Sequence, residues 1–208
     1  MTGERTGTAV VVCGALALHV RAIAARRGWP VDVHPLSPAL HNRPERISPE
    51  VAAQLRRLRT RYDRVAVAFA DCGTRGDLDD VLAGTGVERL RGDTCYDVLA
   101  RDEVRELLAQ EPGTYFLTDF LVRTFERSVV RPLGLDRHPD LRDAYFAHYT
   151  RVVWLAQTPT HELRAAARAA ADTLGLPLEE RDVGDAGLER QLEELVLGPA
   201  TRIPACAA

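Results

Sequence analysis

Short apolar runs alternate along this chain with stretches of helical spacing. The run over residues 65–70 is uninterrupted and made of small apolar residues with one phenylalanine, which is typical of a strand buried on both faces of a parallel sheet. Other segments, some apolar throughout and some mixed with polar residues, predict further strands over residues 8–12, 30–34, 87–90, 114–117, 152–156 and 178–183. Helical spacing predicts helices over residues 15–27, 51–62, 77–82, 120–130, 159–174 and 188–197.

This alternation predicts an α/β fold. We expect three layers, with a largely parallel sheet around the 65–70 strand and helices on both of its faces. The expected organisation is a single domain over residues 1–208, with a possible division into two half-domains at the turn of residues 111–113. Gly28 and Gly175 should end helices, and Ser48 should cap the helix that follows it. Residues 198–208 are expected to form a loose tail, which makes Cys206 an exposed thiol without a role.

Composition and charge narrow the class of protein. The chain has 208 residues, 46% of them hydrophobic and 27% charged, as expected for a soluble globular protein. The formal net charge of −3 argues against nucleic acid as a partner, because such binders usually carry a basic face. Arg21 interrupts the first apolar run well before it could span a membrane, so we expect a cytoplasmic protein without a membrane anchor.

Two missing signals exclude common cofactors. All 27 basic residues are arginine, so a lysine Schiff base, pyridoxal phosphate attached through lysine, and a phosphate-loop lysine are excluded. The turn after the first strand reads CGALAL, so the GxGxxG fingerprint of NAD-binding proteins is missing.

Three cysteines follow the ends of predicted strands. Cys13 ends the first strand, Cys72 follows the 65–70 strand, and Cys95 follows the 87–90 strand. Because ligands bind outside the carboxyl ends of parallel strands, we expect these thiols to share one site. Three thiolates can bind an iron–sulfur cluster with one open iron, or zinc with a fourth ligand from His41 or His138.

Two other interpretations stay open at this stage. Cys72 or Cys95 could be a nucleophile, with His41 or His138 as its base. Alternatively, the chain could be a metal-free accessory or sensor protein that binds a small molecule without turnover.

Polar residues in the neighbouring loops complete the predicted site. Asp71, Asp136 and His138 are the candidates for proton transfer. Arginine recognises carboxylates and phosphates, and the backbone N–H groups of residues 73–76 could form an anion nest. We therefore expect a small anionic substrate bound by residues from these loops: His41, Asn42, Arg43, Arg46, Arg75 and Arg137. The expected activity is that of a metal-dependent transferase or lyase.

Several motifs in order resemble one known family. They are LHNRPERI from Leu40, DCGTRGDLD from Asp71, TCYD from Thr94, YFLTDFL from Tyr115, and LGLDRHPDLRDAYFAHYTRVVWLAQT from Leu133. Together they resemble the bacterial and archaeal family named domain of unknown function sixteen thirty-eight. The resemblance implies a single-domain protein, with no established reaction. It also implies that the motif residues include Cys13, His41, Asn42, Arg43, Asp71, Cys72, Cys95, Asp119, Asp136, Arg137 and His138.

Overall fold

Two parallel three-stranded sheets, each with helices around it, form the core of a computed structural model that describes residues 7–198. Contacts between residues divide the chain into two compact units. The first unit contains residues up to Val98 and from Gly187 onward, and the second contains Leu99–Ala186. The predicted α/β class and the parallel strands are confirmed. The strands form two separate sheets, and the boundary between the units lies within a helix and not at residues 111–113.

The first unit has the strand order β2-β1-β3. Its elements are β1 (Thr8–Cys13), α1 (Ala17–Arg27), β2 (Val31–Leu36), two 3-10 turns (Pro38–Asn42 and Pro44–Arg46), α2 (Ile47–Leu58), β3 (Arg64–Ala68) and α3 (Asp77–Leu82). The middle strand is therefore β1, although the sequence predicted the 65–70 run as the central strand. Buried apolar side chains from β1, β3 and α2 form the core of this unit.

The second unit has the strand order β4-β5-β6. Its elements are β4 (Thr114–Thr118), α5 (Asp119–Phe125), a π-helical turn (Glu126–Val130), α6 (Arg131–Leu133), α7 (Leu141–Tyr145), β5 (Arg151–Ala156), α8 (His161–Leu174) and β6 (Leu178–Asp182). The unit boundary falls within α4 (Cys95–Gln110), which is kinked at Ala100. The chain then returns to the first unit through α9 (Ala186–Leu197). As predicted, β6 is an edge strand.

Some helix ends agree with their sequence signals and one does not. Gly28 and Gly175 end α1 and α8 with φ of 65° and 70°, a left-handed conformation that glycine adopts without strain. However, α2 begins at Ile47, so Ser48 lies inside its first turn, buried and without a hydrogen bond from its Oγ. The prediction that Ser48 caps this helix is therefore wrong.

The predicted strand over residues 87–90 is also wrong. Only one parallel bridge joins this segment to β3, between Val67 and Arg89. The Val67 N–H donates to Glu88 O at 3.1 Å, and the Leu90 N–H donates to Val67 O at 3.2 Å. The segment therefore lies along β3 for a single residue before it turns toward Cys95.

Two further predictions concern membrane-spanning segments and the C-terminal tail. Within residues 7–198, no helix combines the length and the apolar character needed to cross a membrane. The expected loose tail and Cys206 lie outside the described residues, apart from Gly198.

Candidate functional site

Cys13 is buried at the carboxyl end of β1, opposite Leu36 of the neighbouring strand β2. The next residue, Gly14, donates its N–H to Leu36 O at 2.9 Å. A Cβ at this position would lie 2.7 Å from Leu36 O and 2.8 Å from Pro38 Cδ, closer than side-chain carbons approach. Glycine is therefore required here, and it lets the loop after β2 pack against the Cys13 turn.

The ring of His41 is oriented toward Cys13. His41 Nδ1 lies 2.9 Å from Pro38 O. Because a carbonyl oxygen only accepts hydrogen bonds, we assign the proton of a neutral His41 ring to Nδ1. His41 Nε2 then keeps its lone pair and lies 3.9 Å from Cys13 Sγ. A backbone carbonyl that fixes the far side of the ring is also the usual arrangement for metal-binding histidines.

The loop that carries Cys72 folds around the carboxylate of Asp71. Asp71 Oδ1 accepts the N–H groups of Gly73 at 3.1 Å and Arg75 at 3.0 Å. Asp71 Oδ2 accepts the Thr74 hydroxyl at 2.8 Å and the Gly76 N–H at 2.9 Å. Burial acts to raise the pKa of Asp71, but these four hydrogen bonds together hold it below its usual value. The N–H groups predicted to form an anion nest are thus taken up by Asp71: those of Gly73, Arg75 and Gly76 by its carboxylate and that of Thr74 by its backbone carbonyl.

Cys72 has a backbone conformation that is unusual for a residue with a side chain. Its φ is 54°, in the left-handed region, and Arg75 in the same loop has φ of 56°. The Cys72 N–H donates to Asp93 O at 2.8 Å, and the Asp71 N–H donates to Gly92 O at 3.0 Å. These two bonds connect the Cys72 loop to the segment that leads into Cys95.

Cys95 is the first residue of α4 and lies inside a reciprocal capping arrangement. Asp97 Oδ2 accepts the Thr94 N–H at 2.8 Å, the Thr94 hydroxyl at 3.0 Å and the Asp93 N–H at 3.1 Å. In return, the Asp97 N–H donates to Thr94 Oγ1 at 3.4 Å. This is a capping box with aspartate in the place of the usual glutamate, and it fixes the backbone on both sides of Cys95.

Burial raises the pKa of all three thiols, and neighbouring thiols contribute to the shifts of Cys72 and Cys95. Burial raises the pKa of Cys13 to about 11. Burial, and next the neighbouring Cys13, raise the pKa of Cys72 to about 12. The pKa of Cys95 is raised by burial and then by Cys72 and Cys13. Three thiols from three chain segments therefore lie near each other, and they are protonated at neutral pH when no metal is bound.

The candidate ligands do not form a closed metal site. Among residues 7–198, no group of three or more histidine, cysteine, aspartate or glutamate side chains is arranged to hold a metal ion. Cys13 and His41 form one pair of possible ligands. Sulfur and nitrogen bound to one tetrahedral zinc lie about 3.6 Å apart, from bond lengths of about 2.3 and 2.0–2.1 Å. The observed 3.9 Å is near that spacing, so Cys13 and His41 could bind one zinc ion after a small shift.

The predicted anion-binding arginines of the first unit separate into two groups. Arg43 and Arg46 line a surface pocket of about 410 Å³, together with Leu36 and Leu40 of the same loop region. None of the cysteines lines this pocket. Arg75 instead projects as an exposed residue from the Asp71 loop, and Asn42 is also exposed.

The predicted residues Asp136, Arg137 and His138 belong to the second unit and are all exposed. The N–H groups of Arg137 and His138 donate to Gly134 O at 3.1 and 2.8 Å. Arg137 Nε lies 3.8 Å from Asp136 Oδ1 in a solvent-exposed ion pair. Asp136, Arg137 and His138 are consecutive residues of this turn. Their role in catalysis or substrate binding stays a prediction.

Two residues with structural roles were missed by the sequence reasoning. Asp97 organises the Cys95 turn, and the signal was available as the T-x-x-D spacing of a capping box. Arg89 binds both carboxylate oxygens of Asp79, at 2.6 and 2.8 Å, and donates to the carbonyls of Leu90 and Gly92. No local pattern in the sequence predicts these contacts of Arg89.

Comparison with known proteins gives one match. No curated protein and no solved structure matches the chain. A protein-family model matches residues 35–192, a range that contains Cys72, Cys95, His41 and His138 and begins after Cys13. The family is described as a protein of unknown function, and it is the family that the motifs resemble. The chain therefore belongs to the DUF1638 family.

Proposed function

We propose that this protein is a metal-thiolate enzyme of the transferase or lyase type that acts on a small anionic molecule. The observation that carries the proposal is the approach of Cys13, Cys72 and Cys95 from three separate chain segments at the end of β1 and β3. Cys13 and Cys72 contact the same buried apolar cluster, and Cys95 follows the Asp93 carbonyl that binds the Cys72 N–H. Sulfur ligands are those that zinc and iron–sulfur clusters prefer.

The residues around the thiols support a binding site for metal. The Asp71 loop fixes the position of Cys72, and the capping box of Asp97 fixes that of Cys95. Pro38 O orients His41 so that Nε2 could be a fourth ligand beside Cys13. A bound metal centre with an open position would supply Lewis-acid chemistry. The donor set of three sulfur atoms and one imidazole nitrogen fits either an iron–sulfur cluster or zinc.

Substrate binding and proton transfer fall to other residues in this proposal. Arg43, in the pocket beside the Cys13 turn, would bind the negative charge of the substrate. The carboxylate of Asp71 is held below its usual pKa by four hydrogen bonds, so at neutral pH it could only accept a proton. His138, Asp136 and Arg137 belong to the second unit, and their part in proton transfer stays a prediction.

The test is elemental analysis and an absorption spectrum of protein purified without oxygen. Iron with sulfide and a broad band near about 400 nm would identify a cluster, whereas stoichiometric zinc without colour would identify a zinc site. Single Cys→Ser variants at residues 13, 72 and 95 should each lose most of the metal. Cys206→Ser is the matched control and should keep it.

Metal-free protein in which all three thiols react with an alkylating agent would contradict the proposal. The contact between Cys13 and His41 would then favour a cysteine–histidine nucleophile, although the sequence placed that role on Cys72 or Cys95. Because burial raises the pKa of each thiol, a thiolate at neutral pH is less favoured here than in typical cysteine enzymes. Ligand binding that survives Cys72→Ala and Cys95→Ala without turnover would identify a binding protein instead.

A further inference from the structure

The pocket next to the Cys13 turn is lined by apolar and by charged residues. The apolar residues Leu36, Ala39 and Leu40 are called its floor, and the charged residues Arg43, Arg46 and Glu50 its rim. Its volume of about 410 Å³ lies at the lower end of the range of about 300–1,000 Å³ that is usual for small-molecule sites. The pocket can therefore hold a small ligand with an apolar part and a charged part.

The charges at the rim are unequal. Arg46 Nη2 lies 3.2 Å from Glu50 Oε1, so this arginine already has a carboxylate partner. Within the part of the chain that the structure describes, Arg43 has neither an ion pair nor a side-chain hydrogen bond. The rim therefore has one uncompensated positive charge, on a guanidinium whose planar N–H groups match a carboxylate.

The same balance disfavours a doubly charged ligand. A phosphate dianion on Arg43 would leave one negative charge uncompensated beside the carboxylate of Glu50, and like charges at short distance repel. The apolar floor also offers nothing to the hydrated oxygens of a phosphate, whereas it can cover a short hydrocarbon chain. A monoanion with an apolar body satisfies both parts of the pocket.

We infer that this pocket binds a monocarboxylic acid with a short apolar chain, its carboxylate on Arg43 and its chain against Leu36, Ala39 and Leu40. The inference rests on the proposed function only where it calls this acid the substrate, and binding to the pocket does not depend on metal. It narrows the substrate class from any small anion to apolar carboxylates.

The test is titration of the full-length protein with hexanoate and, separately, with inorganic phosphate by calorimetry. Hexanoate should bind the wild-type protein at least ten times more tightly than phosphate does. Arg43→Gln should weaken hexanoate binding by about 10- to 100-fold, the range expected for loss of a charged hydrogen bond. Ala39→Glu, at an exposed floor position, should weaken it as well, because it fills the pocket and repels the carboxylate.

Arg56→Gln is the matched control, since Arg56 is an exposed arginine of α2 that does not line the pocket. It should bind hexanoate as the wild type does. Equal affinity for hexanoate and phosphate, unchanged hexanoate binding by Arg43→Gln, or no heat with hexanoate at millimolar concentration would each overturn the inference.

Metal content measured on the same preparations separates this inference from the proposed function. Metal present without hexanoate binding would overturn only the inference. Hexanoate binding that depends on Arg43 in a metal-free protein would support the inference and contradict the metal site.

Discussion

Two aspartates shape the loops that carry the second and third thiols of the candidate site. Asp71 uses both carboxylate oxygens to bind four groups of its own loop, and Asp97 binds three groups of the turn before α4. Such carboxylates replace the regular backbone hydrogen bonds that a loop lacks. At the scale of single residues, the geometry of the thiols therefore depends on side chains that do not need to contact a ligand.

Replacing Asp71 with asparagine should destabilise the first unit. The amide nitrogen of Asp71→Asn would face N–H donors and could not accept their hydrogen bonds. Since hydrogen bonds to a charged group are worth about 1.5–3 kcal/mol, we expect a loss of about 2–3 kcal/mol in the free energy of unfolding. Urea unfolding measures it, and Asp80→Asn, an exposed change in α3, is the control. Equal midpoints for the two variants would contradict this role of Asp71.

The ion pair between Asp79 and Arg89 should give the stability a pH dependence in acid. The hydrogen bonds and the charge of Arg89 lower the pKa of Asp79 below that of an unfolded chain. A lowered carboxyl pKa stabilises the fold above the unfolded value of about 3.9, and the contribution is lost as the pH falls through the folded value. At pH 7, Asp79→Asn should cost about 0.5–1 kcal/mol, because the pair is partly exposed.

Urea unfolding of wild type and Asp79→Asn between pH 7 and pH 2.5 checks this expectation. The difference in midpoint should be constant down to about pH 4 and should then shrink toward zero. A difference that persists at pH 2.5 would show that the Asp79 charge is not its origin.

At the scale of elements, Asp119 joins the carboxyl ends of β4 and β5 in the second unit. Its fully buried carboxylate accepts the Trp154 indole N–H at 3.0 Å and the Gln157 N–H at 3.2 Å. It also accepts the N–H and the hydroxyl of Thr158, both at 2.9 Å. The first residue of α5 is thereby fixed to the neighbouring strand.

Asp119→Asn should lower the free energy of unfolding by about 2–4 kcal/mol, because a buried amide cannot satisfy all four donors. The loss should be accompanied by a change in the fluorescence of Trp154, which is completely buried. Asp140→Asn, an exposed substitution in the same unit, is the control. An unchanged Trp154 signal with normal stability would exclude this role.

The periodicity of the sequence predicted most of these elements, because strand and helix patterns reflect burial along one element at a time. It failed for Ser48, whose hydroxyl is buried inside α2, because tertiary packing extended the helix beyond its local start signal. It also failed for residues 87–90, a segment with two apolar and two charged residues that pairs with β3 at a single residue only.

The position of Cys13 and Cys72 after strand ends could be predicted, because parallel strands end at one edge of a sheet. The same reasoning does not hold for Cys95, because residues 87–90 form no strand. The sequence did not predict that His41 and Arg43 face different sites. These residues are two positions apart, yet His41 faces Cys13 and Arg43 faces the pocket, because consecutive 3-10 turns send nearby side chains in different directions.

At the scale of the whole molecule, each unit has its own sheet and its own buried apolar cluster. The second unit is continuous in sequence, whereas the first consists of two chain segments, because α9 belongs to it. Arg64 shows this return: its guanidinium donates to the carbonyls of Leu195 at 3.3 Å, Val196 at 3.0 Å and Gly198 at 2.6 Å. The last carbonyls of α9 are thus satisfied by the first residue of β3.

A fragment of residues 99–186 should therefore fold by itself. Its core includes Leu117, Trp154 and Ala167 from β4, β5 and α8, all completely buried in the intact chain. We expect cooperative urea unfolding followed by Trp154 fluorescence, the only tryptophan in the fragment. The fragment of residues 1–98 lacks α9 and should unfold at a lower urea concentration than the same unit in the full chain. A non-cooperative transition of the 99–186 fragment would contradict its independence.

The left-handed backbone of Cys72 implies a trade-off between stability and chemistry at this one position. Glycine adopts φ near 54° without the steric cost that a Cβ brings, about 1 kcal/mol or more. Cys72→Gly should therefore be more stable than Cys72→Ala by about that amount, while both variants lack the thiol. Under the proposed function, this strain is the cost of presenting a sulfur atom at residue 72.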